Sequence, residues 1–501
     1  TWGELAERTT GLEIPEGTPP DHPFVQILDP ATGTGTFPVE VIDLIYKTMT
    51  AKWQKQGNRD AQIKELWNEY VPEHLLPRLY GYELMMAPYA IAHMKIGLKL
   101  YETGYRFKSD ERARIYLTNA LEPAQDNSGT FAFAIPALAR EADAVHSIKL
   151  NNHFSVIIGN PPYFGEGGLS QGLIGDLMED YKKEPGGKVK LKERNPKWLN
   201  DLYVKFIRLS SHQIERSGIG ILGFITNHSY LDNPTFRGMR WHLLDTFRKI
   251  HVLDLHGNSK KKEITPEGKP DKNVFDIQQG VSIIIGAKKR KYNPEMASVM
   301  FGDLWGERSE KYITLQTLEL SGATFSKLES PKPHHLFVKR DYSMYELYKN
   351  GFSITEFMPV NSVGIVTARD KFTIDMNKEA LWQRIGVFVK MDDESARDAF
   401  CLGSDVRDWT VSNARADIGI PDEKFLAKIS YRPFDQRWTY YTGTSRGFLC
   451  MPRSAVMNHM LEQENFALSA SRQNKGGHGY THVFCHKDIA ESSLVSNKTS
   501  E

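Results

Sequence analysis

The first half of the chain alternates short apolar runs rich in β-branched residues with stretches whose apolar residues recur at helical spacing, and few folds accept that order. FVQILDP, RLYGYEL, ARIYLTN, FSVIIGN, GIGILGFIT and KIHVLDL have the length and composition of buried strands. VEVIDLIYKTM and AQIKELWNEYV, between the first two runs, and APYAIAHMKIGLKLYE, after the second, have the spacing of amphipathic helices. The pattern predicts an α/β fold, a doubly wound sheet with helices on both faces. NVFDIQQGVSIIIGAKK and ASVMFGDL are expected to complete that sheet before residues 329–337, ESPKPHHLF, which read as a linker. The expected domains are therefore 1–330 and 331–501. In the second, FMPVNSVGIVTARDKFTI, KISYRPFDQRWTYYTG and GYTHVFCHKD are short, aromatic and turn-rich, which predicts a mixed, β-rich domain.

Composition narrows the function classes. With 63 Lys+Arg against 62 Asp+Glu, there is no global positive field, so nucleic-acid binding has to come from local basic patches. The longest apolar runs, such as SVIIG and VSIIIG, are too short to cross a bilayer, so no membrane partner is expected. Cys401, Cys450 and Cys485 are widely spaced and odd in number, which suits a reducing, cytoplasmic setting better than a disulfide framework. Thr1 in place of Met, with no charged-then-apolar leader, fits an excerpt or processed form of a longer polypeptide, and the second domain is open to being cut short at Glu501.

Two segments carry chemistry. DPATGTGTF, residues 29–37, follows a strand and precedes a helix, and Gly33 and Gly35 let the backbone turn tightly beside a ligand at a helix N-terminus. By itself it is compatible with a plain tight turn or with a dinucleotide, phosphate or nucleoside site; no Walker A loop occurs. In IIGNPPYFG a strand runs into Asn160, Pro161, Pro162 and Tyr163. The paired prolines stiffen the backbone and hold the Asn amide and neighbouring carbonyls in an array able to accept both hydrogens of a planar amine. The Tyr163 ring offers a flat stacking face. An ordinary Pro-Pro turn closing a strand is the alternative.

In this order the motifs resemble those of the amino-group DNA methyltransferases that use S-adenosylmethionine. DPATGTGTF is similar to their motif I, Glu83 in LYGYEL to motif II, Asn119 in IYLTNAL to motif III, and NPPY to the catalytic motif IV. GYELMMAPYAIAHMKIGL, FITNHSYLDNPTFRGMRWHLL, LDLHGN and SYRPFDQRWTYY resemble the type ISP restriction–modification enzymes in particular. The resemblance implies S-adenosylmethionine as cofactor, with Asp29, Ala31, Thr32, Gly33, Gly35 and Thr36 around its methionine end, Glu83 on the ribose hydroxyls and Asn119 at the adenine edge. It implies a DNA adenine rotated out of the duplex, held by Asn160, Pro161, Pro162 and Tyr163 and stacked between Tyr163 and Phe275. Double-stranded DNA is then the partner, and the family's longer polypeptides add a nuclease and an ATP-driven translocase.

The gamma order of motifs assigns target recognition to the C-terminal part, where Arg432, Arg437, Arg446 and Arg453 are candidates for base contacts or for ion pairs. Lys260 to Lys262, residues 288–291, and residues 181–198, with seven Lys/Arg against two Glu, are candidate phosphate contacts. Two alternatives stay open. Cytosine N4, an RNA amine or a protein glutamine could be the acceptor. The chain could be a recognition fragment with an incomplete cofactor pocket, since no Tyr-Thr-Pro run precedes Asp29. His482, Cys485 and His486 lack a fourth ligand at zinc spacing and read as a surface cluster, so no metal is expected.

Overall fold

The computed structural model describes every residue except 11, 109–110, 124–135, 164–171, 194–195, 290–295, 323, 471–482 and 496–501, with only the backbone of 136–140 and 346. The chain forms two compact units, Thr1–Arg340 and Asp341–Glu501.

The first unit is built on a nine-stranded sheet. Its strands are β1 (Ile27–Asp29), β2 (Leu79–Glu83), β3 (Arg114–Leu117), β4 (Val156–Gly159), β5 (Gly220–Asn227), β6 (Lys249–His256), β7 (Val281–Lys288), β8 (Ser298–Asp303) and β9 (Ser326–Lys327). They lie in the order β3-β2-β1-β4-β5-β7-β6-β8-β9. The first five are parallel, β7 runs antiparallel between β5 and β6, and β8 is parallel to β6. All six apolar runs of the first half are strands.

Side-chain alternation distributes each strand between two cores. Leu28, Tyr80, Tyr82, Tyr116 and Ile157 enter one, while Leu79 and Ile115 enter the other. Helix α1 spans Trp2–Arg8, and α2 (Thr36–Lys55), α3 (Asp60–Tyr70) and α4 (Met86–Glu102) cover the second core with Ile42, Trp53, Ile63, Trp67 and the i, i+4, i+8 set Ala92, Ile96 and Leu100. Further α-helices described in this unit are α5 (Pro136–Asn151), α6 (Gly172–Met178), α7 (Leu202–Ser217), α8 (Arg237–Thr246) and α9 (Arg308–Thr317). Of these, α6, α7 and α8 line the first core with residues such as Ile174, Ile207, Ile214 and Leu243.

Two expectations are corrected here. Residues 329–337 are not a free linker: Phe337 is fully buried, its N–H donates to Leu231 O, and the buried Arg240 guanidinium donates to His334 O at 2.8 and 3.0 Å. A Pro- and His-containing stretch signals a turn, and the apolar Leu336 and Phe337 at its end drive it into the core. Phe275 lies in the loop ahead of β7 and not in a strand, because Asn273 accepts the Phe275 N–H at 2.9 Å and bends the chain before pairing begins at Val281.

In the second unit, β10 (Ile374–Asp375), β12 (Asp435–Tyr440), β11 (Leu426–Arg432) and β15 (Ile489–Ala490) form one sheet in that spatial order, and β13 (Ala467–Ala470) pairs with β14 (Val483–His486). Helices Lys378–Phe388, Asp393–Ala399, Val411–Ile418 and Ser454–Leu461 accompany these sheets, so the unit is mixed, with more helix than its aromatic, turn-rich sequence signalled. Its core gathers Phe372, Phe388, Trp409, Tyr440 and Phe448. Among the described residues no helix is long and apolar enough to cross a membrane.

Candidate active site

Strand order reverses between β1 and β4, and in open α/β sheets ligands bind outside the carboxyl ends of strands at such a point. The Gly-rich loop leaves β1 there and the Asn-Pro-Pro-Tyr segment leaves β4. The two meet: a Cβ built on Gly159 would lie 2.7 Å from Asp29 Oδ1, so only glycine before Asn160 admits the Asp29 carboxylate.

The loop is held by its own backbone. Thr32 N–H donates to Tyr82 O at 2.9 Å, Thr32 Oγ1–H to Asp29 O at 3.0 Å, and Ala31 N–H to Asp29 Oδ1 at 3.1 Å. Gly33 and Gly35 adopt left-handed φ values of 56° and 81°, and Gly35 caps α2 while lying against Ala92 of α4. Thr36 opens the helix and accepts from Lys95 Nζ at 3.3 Å. Glu83, at the end of β2, accepts Gly33 N–H and Met85 N–H, both at 2.8 Å, one on each carboxylate oxygen. A carboxylate offers about four lone-pair positions, so Glu83 keeps capacity for hydroxyl donors.

Asp29 is 1% exposed and its Oδ2 has no hydrogen-bond partner among the described residues. Burial, with the charge of Glu83 adding to it, pushes its carboxyl up to about 7, against the lowering effect of Ala31 N–H. Because the folded state then holds this proton more tightly than the unfolded chain, stability declines as pH rises from about 4 through about 7. Asp29→Asn is expected to remove that decline and to gain on the order of 1–3 kcal/mol at pH 8 relative to pH 5. Urea unfolding at the two pH values reads the difference, and an equal change at both would contradict it.

Asn119 follows β3 as expected, but its side chain closes a turn. Leu121 N–H donates to Asn119 Oδ1 at 3.1 Å and Asn119 Nδ2 donates to Glu122 Oε1 at 3.0 Å. Both amide atoms already have partners. Asn160 and Pro162 are exposed, Pro161 is buried, and the Tyr163 ring is half-buried with a hydroxyl that has no partner among the described residues and whose ionisation burial opposes. Tyr163 and Phe275 pack against the same cluster, which contains Leu253, Leu255, Val274, Val281 and Phe325, so the fold brings together two rings 112 positions apart.

The basic segments separate. Lys260, Lys261 and Lys262 are exposed just beyond the carboxyl end of β6. Lys288, paired with Gly220 where β5 starts, sits at the opposite edge of the sheet because β7 runs antiparallel; eight residues put it roughly 25 Å from Val281. Its group therefore does not adjoin the Tyr163 and Phe275 cluster, and 290–291 lie outside the described residues. In 181–198 both glutamates are taken by Arg237, which donates to Glu184 at 2.7 Å through two nitrogens and to Glu193 at 2.6 Å. Lys188, Lys190, Lys192 and Lys197 are left exposed beside a half-exposed Trp198.

In the second unit Arg432 pairs with Glu491 at 2.6 Å, Arg437 with Asp435 at 2.8 Å and Arg446 with Asp408 at 3.2 Å, while Arg453 has a buried Nε with no partner among the described residues. Three of the four arginines are thus ion-paired. His486 uses both ring nitrogens, on Ser469 Oγ and Asp488 O, each at 2.8 Å, and His482 lies outside the described residues.

Residues 78–260 match the family model described as Eco57I restriction-modification methylase, and residues 356–501 the one described as Type ISP C-terminal specificity domain. The chain thus resembles an Eco57I-type methylase over 78–260 and a type ISP specificity domain over 356–501. The methylase match spans β2 to the end of β6, including Glu83, Asn119 and Asn160 to Tyr163. Solved structures with the same fold are a DrdV–DNA complex (21% identity, TM-score 0.55, 94% of this chain and 45% of that one) and the type ISP enzyme LlaBIII bound to DNA (21%, 0.57, 93% and 31%). A nuclease-deletion mutant of the type ISP enzyme LlaGI with a DNA substrate mimic is similar (19%, 0.53, 88% and 36%). The chain spans less than half the length of each. No curated protein sequence matches it.

Proposed function

We propose that the methylase domain transfers a methyl group from S-adenosylmethionine to the N6 amine of an adenine rotated out of double-stranded DNA, and that the specificity domain reads the DNA target. One observation carries this reading: the buried Asp29 carboxyl, whose Oδ2 has no partner among the described residues, lies with its Oδ1 against Gly159, so the glycine loop and the Asn160 cradle bound one space.

The residues present fit the cofactor. Asp29 Oδ2 lacks a donor, the loop from Ala31 through Thr36 is held open by Gly33 and Gly35, and Glu83 has acceptor positions left for two ribose hydroxyls. Asn119 would support the adenine edge through its turn, with its amide atoms already in use. Bound there, S-adenosylmethionine supplies an electrophilic methyl carbon on a positively charged sulfur.

Asn160 and the Pro161 carbonyl would accept the two hydrogens of the adenine amine, drawing its lone pair out of the ring and toward the methyl. With the cofactor held by Asp29, the loop from Ala31 through Thr36 and Glu83, the methyl group would pass from its sulfur to this amine nitrogen, and the amine would lose one proton to water. Pro162 fixes the cradle, and Tyr163 and Phe275 would replace the stacking lost on base rotation. The exposed lysines at 188–197 and 260–262 are suited to phosphates. We read the chain as part of a longer polypeptide that also carries nuclease and translocase modules.

The test is methyl transfer from radiolabelled S-adenosylmethionine to random-sequence duplexes, followed by nucleoside analysis. N6-methyladenine is the expected product. N4-methylcytosine would move the acceptor, label in RNA or protein alone would remove DNA as substrate, and no cofactor binding alongside DNA binding would leave a recognition fragment.

A further inference from the structure

At the same edge of the sheet, beyond β5 and β6, lies a histidine cluster that methyl transfer does not use. His228 and His256 are 4% and 8% exposed. Together with Glu263 they bring one donor atom each to within 4.8 Å of the other two. We propose that His228, His256 and Glu263 bind one divalent transition-metal ion of the zinc class, which ties the loop between β6 and β7 to the end of β5. This does not rest on the methyl-transfer reading.

Four features prepare the site. Asp254 faces the Nδ1 atoms of both rings, at 3.0 Å from His228 and 3.5 Å from His256, and so directs the Nε2 lone pair of each away from itself, the carboxylate–histidine arrangement that orients metal ligands. His256 Nε2 is buried with no partner among the described residues. His228 Nε2 is hydrogen-bonded to Asn258 Nδ2 at 3.2 Å, a partner the ion would displace, while Asn258 N–H holds Glu263 at 2.8 Å. Finally, the rings are fixed at some cost: His256 takes a left-handed φ of 52° and stacks on Trp305 at 3.3 Å, and Gly280 has no side chain because a Cβ there would stand 2.2 Å from His228 Cε1.

Two imidazoles and one carboxylate leave a fourth, water-filled position, a donor set common for zinc. Zinc–ligand bonds are about 2.0–2.2 Å, so the donors must draw together. Glu263 can move, since it sits in a loop between exposed residues. Lys261 does not compete, because it turns to Asp232 at 3.7 Å. The loop from 257 to 280 carries Phe275, so the ion would anchor the segment that presents that ring.

The experiment equilibrates the full chain with ZnCl2, and separately with CoCl2, removes free ion by desalting, and measures bound metal by atomic emission and Co2+ by visible absorption. About one ion per chain is expected, with the absorption of a four- or five-coordinate centre. His256→Asn, which suits the left-handed backbone, and Glu263→Gln should each lose it. Chelation should speed protease cleavage within 257–280 in the wild type and not in the variants. A wild type that retains no ion, or an ion retained undiminished in both variants, overturns the proposal.

Discussion

Lys311→Met should destabilise the first unit by about 3–5 kcal/mol, because it strands a buried carboxylate. Lys311 and Asp271 have fully buried side chains, and the ammonium donates to Asp271 Oδ2 at 2.9 Å, Leu255 O at 2.7 Å and Lys272 O at 2.7 Å. These acceptors belong to the end of β6 and the following loop, so one side chain of α9 fastens the loop that carries Phe275. Asp271 Oδ1 separately accepts Gly306 N–H at 2.7 Å. The pair Lys311→Met/Asp271→Asn keeps that acceptor and removes the lone charge, so it should recover much of the loss. Urea unfolding measures both variants. A single variant within about 1 kcal/mol of wild type, or a double variant worse than the single, would show that the pair does not fasten the loop.

How much of this was legible beforehand depends on how far apart the deciding residues stand in the chain. The six strands and the glycine loop are written locally, in β-branched runs and in glycines that must take positive φ, and the sheet follows from them. Asn160 to Tyr163 are equally local. Antiparallel β7 is what periodicity does not express: its apolar run looks like any buried strand, so Lys288 was grouped with a pocket that lies at the other edge. The Asp29–Gly159 contact, the Lys311–Asp271 pair and the convergence of His228, His256 and Glu263 join residues from separate elements, and their spacing has no period. LDLHGN and FITNHSY each show one histidine, and only the adjacency created by β7 between β5 and β6 brings them together. The ion pairs of Arg432, Arg437 and Arg446 likewise depend on partners that spacing alone does not single out.

Asn160→Ala should lower methyl transfer by on the order of 10³-fold while leaving folding and cofactor affinity close to wild type. The side chain is exposed at the end of β4, so its truncation leaves no cavity and no buried donor, and surface changes of this kind usually stay within about 0.5 kcal/mol. The cofactor side of the space is proposed to be formed by Asp29, the glycine loop and Glu83, whose hydrogen bonds described above go to partners other than Asn160. On the proposed reading, what is lost is one of two acceptors that polarise the amine, an interaction that strengthens as the nitrogen becomes pyramidal, so kcat should fall and KM for DNA should change little. Asn160→Asp, which keeps an acceptor oxygen but adds charge, should fall between the two. Single-turnover rates with saturating cofactor measure all three. Wild-type turnover in Asn160→Ala would mean that the Pro161 carbonyl alone activates the amine, and an equal loss of cofactor binding would mean that the residue holds the donor instead of the base.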